Sequence, residues 1–171
     1  METSERVSRL LTTLGYGVHL KARNEIVLVD PLESHLTSYL AYMDQHNLRI
    51  RAIFLTSGEE EYHSFMEDLR PINRAFTENF ETLSGFAPNS PFIKEAPNAE
   101  IKHIDDLCFY FLRTEGTAKP NSLIALTEVT PESTKTPLLF PGEFLHAFSI
   151  GEVGNPAKYI QELGFIKNFQ D

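Results

Sequence analysis

The sequence has no tryptophan and one cysteine, Cys108. A single thiol can close no intrachain disulfide, so a covalently stapled fold is excluded and a reducing cytosol is the expected compartment. Positive charge is also scarce, with 15 Lys and Arg against 24 Asp and Glu for a formal charge of -9. That balance repels a phosphate backbone unless basic residues gather on one face, and no such gathering is visible, so no nucleic-acid partner is expected. No apolar run approaches the roughly 18 residues that would span a bilayer, and the first five residues lack the basic and apolar stretches of a secretory signal. The chain also lacks a Gly-x-Ser-x-Gly elbow, a phosphate-cradling glycine loop and a Cys-x-x-Cys pair, which removes the commonest hydrolase, nucleotide and redox signatures.

Apolar side chains, by contrast, are plentiful: the hydrophobic fraction is 42% and there are 13 Phe. Such a composition folds, and 171 residues suit one domain, here taken as 1–171, that buries roughly 70% of its unfolded surface. Residues 6–20 mix apolar and hydroxyl side chains around Gly15-Tyr16-Gly17 and predict one or two edge strands. Glu25-Ile26-Val27-Leu28-Val29-Asp30, halted by Pro31, predicts a buried strand closing on a carboxylate. Leu36, Tyr39, Leu40 and Met43 then recur at helical spacing within 34–47, and 50–55 reads as a second buried strand. Tyr62, Phe65, Met66 and Leu69 mark a second helix ending at Pro71. This order favours an α/β layer architecture with parallel pairing across the crossover. Between 73 and 99 periodicity disappears and the segment reads as a long, partly packed loop, either a cover for a site or partner surface or a packing insertion. Apolar runs at 107–112, 122–126 and 137–140 suit an antiparallel meander, and a last helix is framed by Asn155 as N-cap, Pro156 as first residue and Gly164 as stop.

Several segments, taken together and in order, resemble the metallo-β-lactamase superfamily. Val27-Leu28-Val29-Asp30-Pro31 resembles the family's apolar strand closing on Asp-Pro, and Leu55-Thr56-Ser57-Gly58-Glu59-Glu60-Glu61-Tyr62-His63 stands where its Thr-His-x-His-x-Asp-His metal motif would lie. Thr114-Glu115-Gly116-Thr117-Ala118-Lys119-Pro120 looks like an altered Thr-Pro-Gly-His-Thr-Pro. Leu139-Phe140-Pro141-Gly142-Glu143-Phe144-Leu145, followed by Ile150-Gly151-Glu152-Val153-Gly154-Asn155-Pro156, is similar to segments of persulfide dioxygenases, with glyoxalase-II-like hydrolases as wider kin. The resemblance implies an αββα sandwich, shortened at its C-terminal end, with a site at the sheet edges.

Carried over residue by residue, the resemblance also implies that the chemistry has changed. Ser57 and Glu59 replace the first two histidines, Glu61 and Tyr62 the Asp-His pair, Thr117 a further histidine and Glu143 an aspartate. The family's iron or zinc would have to be held by neutral hydroxyls at Ser57 and Thr117, which are poor substitutes for imidazole, so no metal cofactor is expected. A carboxylate-rich site for a hard metal from Glu59, Glu61, His63 and Glu143, of which Glu59, His63 and Glu143 are the best set, is the alternative. Ligands spaced by two do not share a helix face well. The same stretch is also a good helix start: Ser57 can accept from the Glu60 N–H in a capping box, with three glutamates at the positive end of the dipole.

His19, His35, His46 and His103 lack ligand spacing and read as ordinary surface or half-buried residues, while His146 falls three residues after Glu143. Cys108, inside an apolar run, reads as a buried inert thiol. The expected function is a catalytically degenerate binding or regulatory subunit, the alternative being a metal-dependent hydrolase or persulfide dioxygenase-like enzyme with an altered Glu/His site. Only 157–171 follow Pro156, so the second sheet is expected to lack its last strand near Phe165, Ile166 and Phe169. A homodimer or protein partner is expected to cover that edge, with help from the aromatic-rich loop 76–92.

Overall fold

A computed structural model describes residues 15–20, 23–57, 81–84, 94–95, 100–118, 121–128, 137–142, 144–146, 151 and 153–168. The run from Glu25 forms the second strand of a hairpin, in which β1 (Tyr16–Leu20) pairs antiparallel with β2 (Glu25–Val29). Asn24 turns the chain with φ of 53°, a left-handed conformation that asparagine tolerates. A 3-10 turn (Glu33–His35) leads into α1 (Leu36–Gln45), and Asn47 at φ 49° stops it. The chain returns as β3 (Arg49–Leu55), parallel to β2.

The expectation of a long, partly packed loop at 73–99 is corrected at 81–84 and 94–95. β4 (Glu81–Ser84) lies parallel beside β3, and β5 (Lys94–Glu95) beside β4, completing a sheet ordered β1-β2-β3-β4-β5. Two strands of four and two residues are too short to show a period, and parallel strands need no polar alternation to betray them. The second helix expected at 62–69 lies outside the described residues.

A second sheet holds the meander β6 (Glu100–Ile104), β7 (Leu107–Thr114), β8 (Asn121–Glu128) and β9 (Leu138–Phe140), all antiparallel and in that order. β6 was not legible in the sequence because it is a polar edge strand whose Ile101 is exposed. The final helix, α2 (Pro156–Asn168), begins as expected, with Lys158 N–H donating to Asn155 Oδ1 at 3.1 Å. It does not stop at Gly164. Leu163 and Ile166 on either side pack onto the second sheet, and that burial outweighs the roughly 1 kcal/mol helix penalty of a glycine.

Alternation sorts the buried side chains into layers. Ile26 and Leu28 face Met43 of α1, whereas Val27 and Val29 face Phe109, Phe111, Ile124 and Phe140 of the second sheet. Phe54 sits edge-on to both Phe109 and Phe111, at 4.9 and 5.1 Å between ring centroids. The outer face of the second sheet buries Leu123 against Tyr159 and Ile166 of α2. The layer order is therefore helix, sheet, sheet, helix.

Candidate functional site

Strands β2 and β3 end side by side, and the residues just past their ends form a buried polar cluster. Asp30 follows β2 at φ 48°, in the left-handed region, and Pro31 fixes the chain's exit. Its Oδ1 accepts from the Thr56 N–H at 2.7 Å and its Oδ2 from the Thr56 hydroxyl at 2.6 Å. Complete burial pushes its carboxyl up to about 7, and the two Thr56 bonds offset only part of that rise. Burial also raises the phenol of nearby Tyr39.

The same corner ties the sheets together. Ser122 N–H donates to Thr56 O at 2.7 Å, and Ser57 forms an isolated antiparallel bridge with Asn121 at the start of β8. Thr114 Oγ1 donates to Asn121 O at 3.1 Å and lies 3.4 Å from Thr117 Oγ1. Ser57 and Thr117, read as two altered ligand positions, are thus linked through Asn121 and Thr114 at one sheet edge. The Thr117 loop is held from behind by α2: Glu162 accepts from the N–H groups of Glu115 and Gly116 at 2.7 and 3.0 Å, and Thr117 bridges Val153.

Glu59, Glu61, Tyr62, His63 and Glu143 lie outside the described residues, as do Glu60 of the expected capping box and the side chain of His146, whose backbone ends a 3-10 turn (Phe144–His146). Cys108 is buried as expected, and its Sγ lies 3.0 Å from His103 Nδ1 on the neighbouring strand. Asn121 carries no motif of its own, whereas Gly142 belongs to the 139–145 segment of the resemblance, which gave it no role in the site. Gly142, at φ 55°, leaves no room for a Cβ, which would collide with the Thr56 hydroxyl. The signal that could have marked Asn121 is an amide at the mouth of the apolar run 122–126, directly after the altered motif.

No protein-family model matches this chain, and no curated protein matches it by sequence. Solved structures do match by shape. A metallo-beta-lactamase from Staphylococcus aureus superposes with a TM-score of 0.58 at 16% identity, covering 78% of this chain and 40% of that one. This chain has the metallo-β-lactamase fold. ETHE1 from Myxococcus xanthus gives 0.55 at 17% identity, covering 67% of this chain and 49% of its own, and the metallo-β-lactamase-fold protein YhfI from Bacillus subtilis gives 0.55 at 12%, covering 76% and 54%. The chain spans about half the length of these structures.

The metallo-β-lactamase fold implies zinc or iron at this corner, and the side chains described there do not suit either. Ser57 and Thr117 are neutral, both Asp30 oxygens are engaged by Thr56, and no three His, Cys, Asp or Glu converge among the described residues. Borderline divalent metals favour imidazole and thiolate, and a neutral serine hydroxyl is a weak ligand beside them. Among the described residues no helix is long and apolar enough to cross a membrane.

Proposed function

We propose that this metallo-β-lactamase-fold chain is a catalytically degenerate binding or regulatory subunit that works without the fold's iron or zinc centre. The observation that carries the reading is the buried Ser57, whose neutral side chain, bridged to Asn121, occupies the position that the sequence resemblance gives to the first metal-binding histidine. Among the described residues this corner offers hydroxyls, a carboxamide and a carboxyl held by Thr56, which supply hydrogen bonds but no imidazole or thiolate to hold the fold's metal. The chain acts in the reducing cytosol, where its one buried thiol needs no partner, and it assembles with a second copy or a partner protein.

Elemental analysis of dialysed protein tests the reading, with far less than one equivalent of iron or zinc per chain as the expected result. Persulfide-dependent oxygen uptake and thioester hydrolysis should stay at the level of a blank. Stoichiometric metal that survives dialysis, with a turnover that Glu143→Ala abolishes, would establish the enzyme reading in its place.

A further inference from the structure

Ser57 and Asn121 face each other across a bridge that joins the two sheets, an arrangement that sets two Cβ atoms about 5 Å apart on one face. Both residues are buried, and Ser57 Oγ, Asn121 Nδ2 and Asn121 Oδ1 have no hydrogen-bond partner among the described residues. Buried hydroxyls and amides in folded proteins are met by protein groups, ordered water or a ligand, because leaving them unpaired is costly.

Their neighbours are already committed. Thr56 satisfies both oxygens of Asp30, Ser122 Oγ donates to Thr56 O at 3.3 Å, and Thr114 Oγ1 donates to Asn121 O. Gly142 packs closely on this corner, since a Cβ there would stand 3.3 Å from Asn121 Oδ1 as well as striking Thr56, so a larger residue would crowd the amide. What remains unused is one hydroxyl, which donates or accepts, one amide donor and one amide acceptor. This set carries no charge, and the ionisable member of the cluster is an acid, Asp30, whose state no described cation influences. Among the described residues nothing here supplies a charge for an anion, whereas a neutral group that presents an acceptor and a donor side by side suits the unused atoms.

We propose that Ser57 and Asn121 form the recognition element for an uncharged ligand bearing a carboxamide-like acceptor and donor pair. The inference rests on the reading of a site without a metal centre and adds the class of ligand that such a site takes.

Nuclear magnetic resonance on the full chain tests it, with the Asn121 side-chain NH2 signal assigned by its loss in Asn121→Asp. Acetamide should move that signal and the Ser57 backbone amide saturably, in the millimolar range that four non-hydrogen atoms allow. Acetate, of the same shape but charged and without a donor, should bind at least about tenfold more weakly. Ser57→Ala should weaken acetamide binding several-fold. The absence of a saturable response to acetamide in the unmodified chain, or equal binding of acetate, overturns the inference, as does a crystal structure in which an internal water bonds both side chains and acetamide fails to displace it. Zn2+ alone is the third titrant. Saturation of the same signals by one equivalent of zinc would remove the metal-free reading itself, whereas silence towards both zinc and acetamide would remove only the ligand class.

Discussion

Asp30 is the residue at which burial and charge conflict most directly. Its carboxyl is raised from 3.8 to about 7 by desolvation, so between those values the folded chain holds a proton that the unfolded chain releases. Stability from this group is complete below about pH 4 and is lost as pH rises through about 7. At about 1.4 kcal/mol per tenfold, the loss between pH 5 and pH 8 should reach about 3 kcal/mol. Asp30→Asn cannot ionise and keeps a carbonyl for the Thr56 N–H. Urea denaturation at both pH values should therefore show the wild-type stability falling by that amount relative to Asp30→Asn, and parallel pH profiles would refute the assignment. The sequence showed Asp30 only as the end of a strand before Pro31. Its left-handed backbone and its two bonds to Thr56, 26 residues away, arise from the parallel neighbour and are invisible to local pattern. Asn121 was missed for the same reason, because its role comes from Ser57 on the other sheet.

α2 acts as a backing plate for the loop that carries Thr117. Gly116 is pressed onto it so closely that a Cβ would collide with the Tyr159 backbone, and Glu162 grips the loop through two N–H groups. Gly116→Ala should thus force helix and loop apart, costing more than about 2 kcal/mol and lowering hydrogen-exchange protection across 156–168. Asn155→Ala removes only the bond to Lys158 N–H and should cost about 1 kcal/mol in thermal denaturation, leaving the loop in place. If the two variants prove equally mild, the helix does not support the loop. The start of α2 was legible because Asn155-Pro156 is a local signal. Its end was not, because Gly164 is overruled by the side chains of Leu163 and Ile166 on a sheet whose last strand ends at Phe140, well before the helix begins.

At the scale of the whole molecule, the sandwich was readable wherever a strand is buried on both faces or flanked by turns, as in β2, β3, β7 and β8, and unreadable where a strand is too short or too polar to show a period, as in β4, β5 and β6. Among the described residues both sheets are open, and the second ends on β6 at one side and on β9 at the other. Leu138 on β9 is 56% exposed and Ile101 on β6 is 45% exposed, so each edge offers backbone groups flanked by an apolar side chain. α2 adds Ile160, 68% exposed, and Phe165, which lines a groove of about 320 Å³ with Leu112 and Leu123. Single exposed apolar residues are ordinary, but the β9 edge and α2, joined through the cluster of Leu139 and Tyr159, give a surface that one twofold axis can bury in both copies. Light scattering over a concentration series should accordingly show a mass rising from 19.4 kDa towards twice that value. Leu138→Lys, which puts a charge on the β9 edge without touching the core, should return it to the single-chain mass. A mass fixed at 19.4 kDa at every concentration, with no protein recovered on the immobilised chain, would mean that these edges are shielded within one copy.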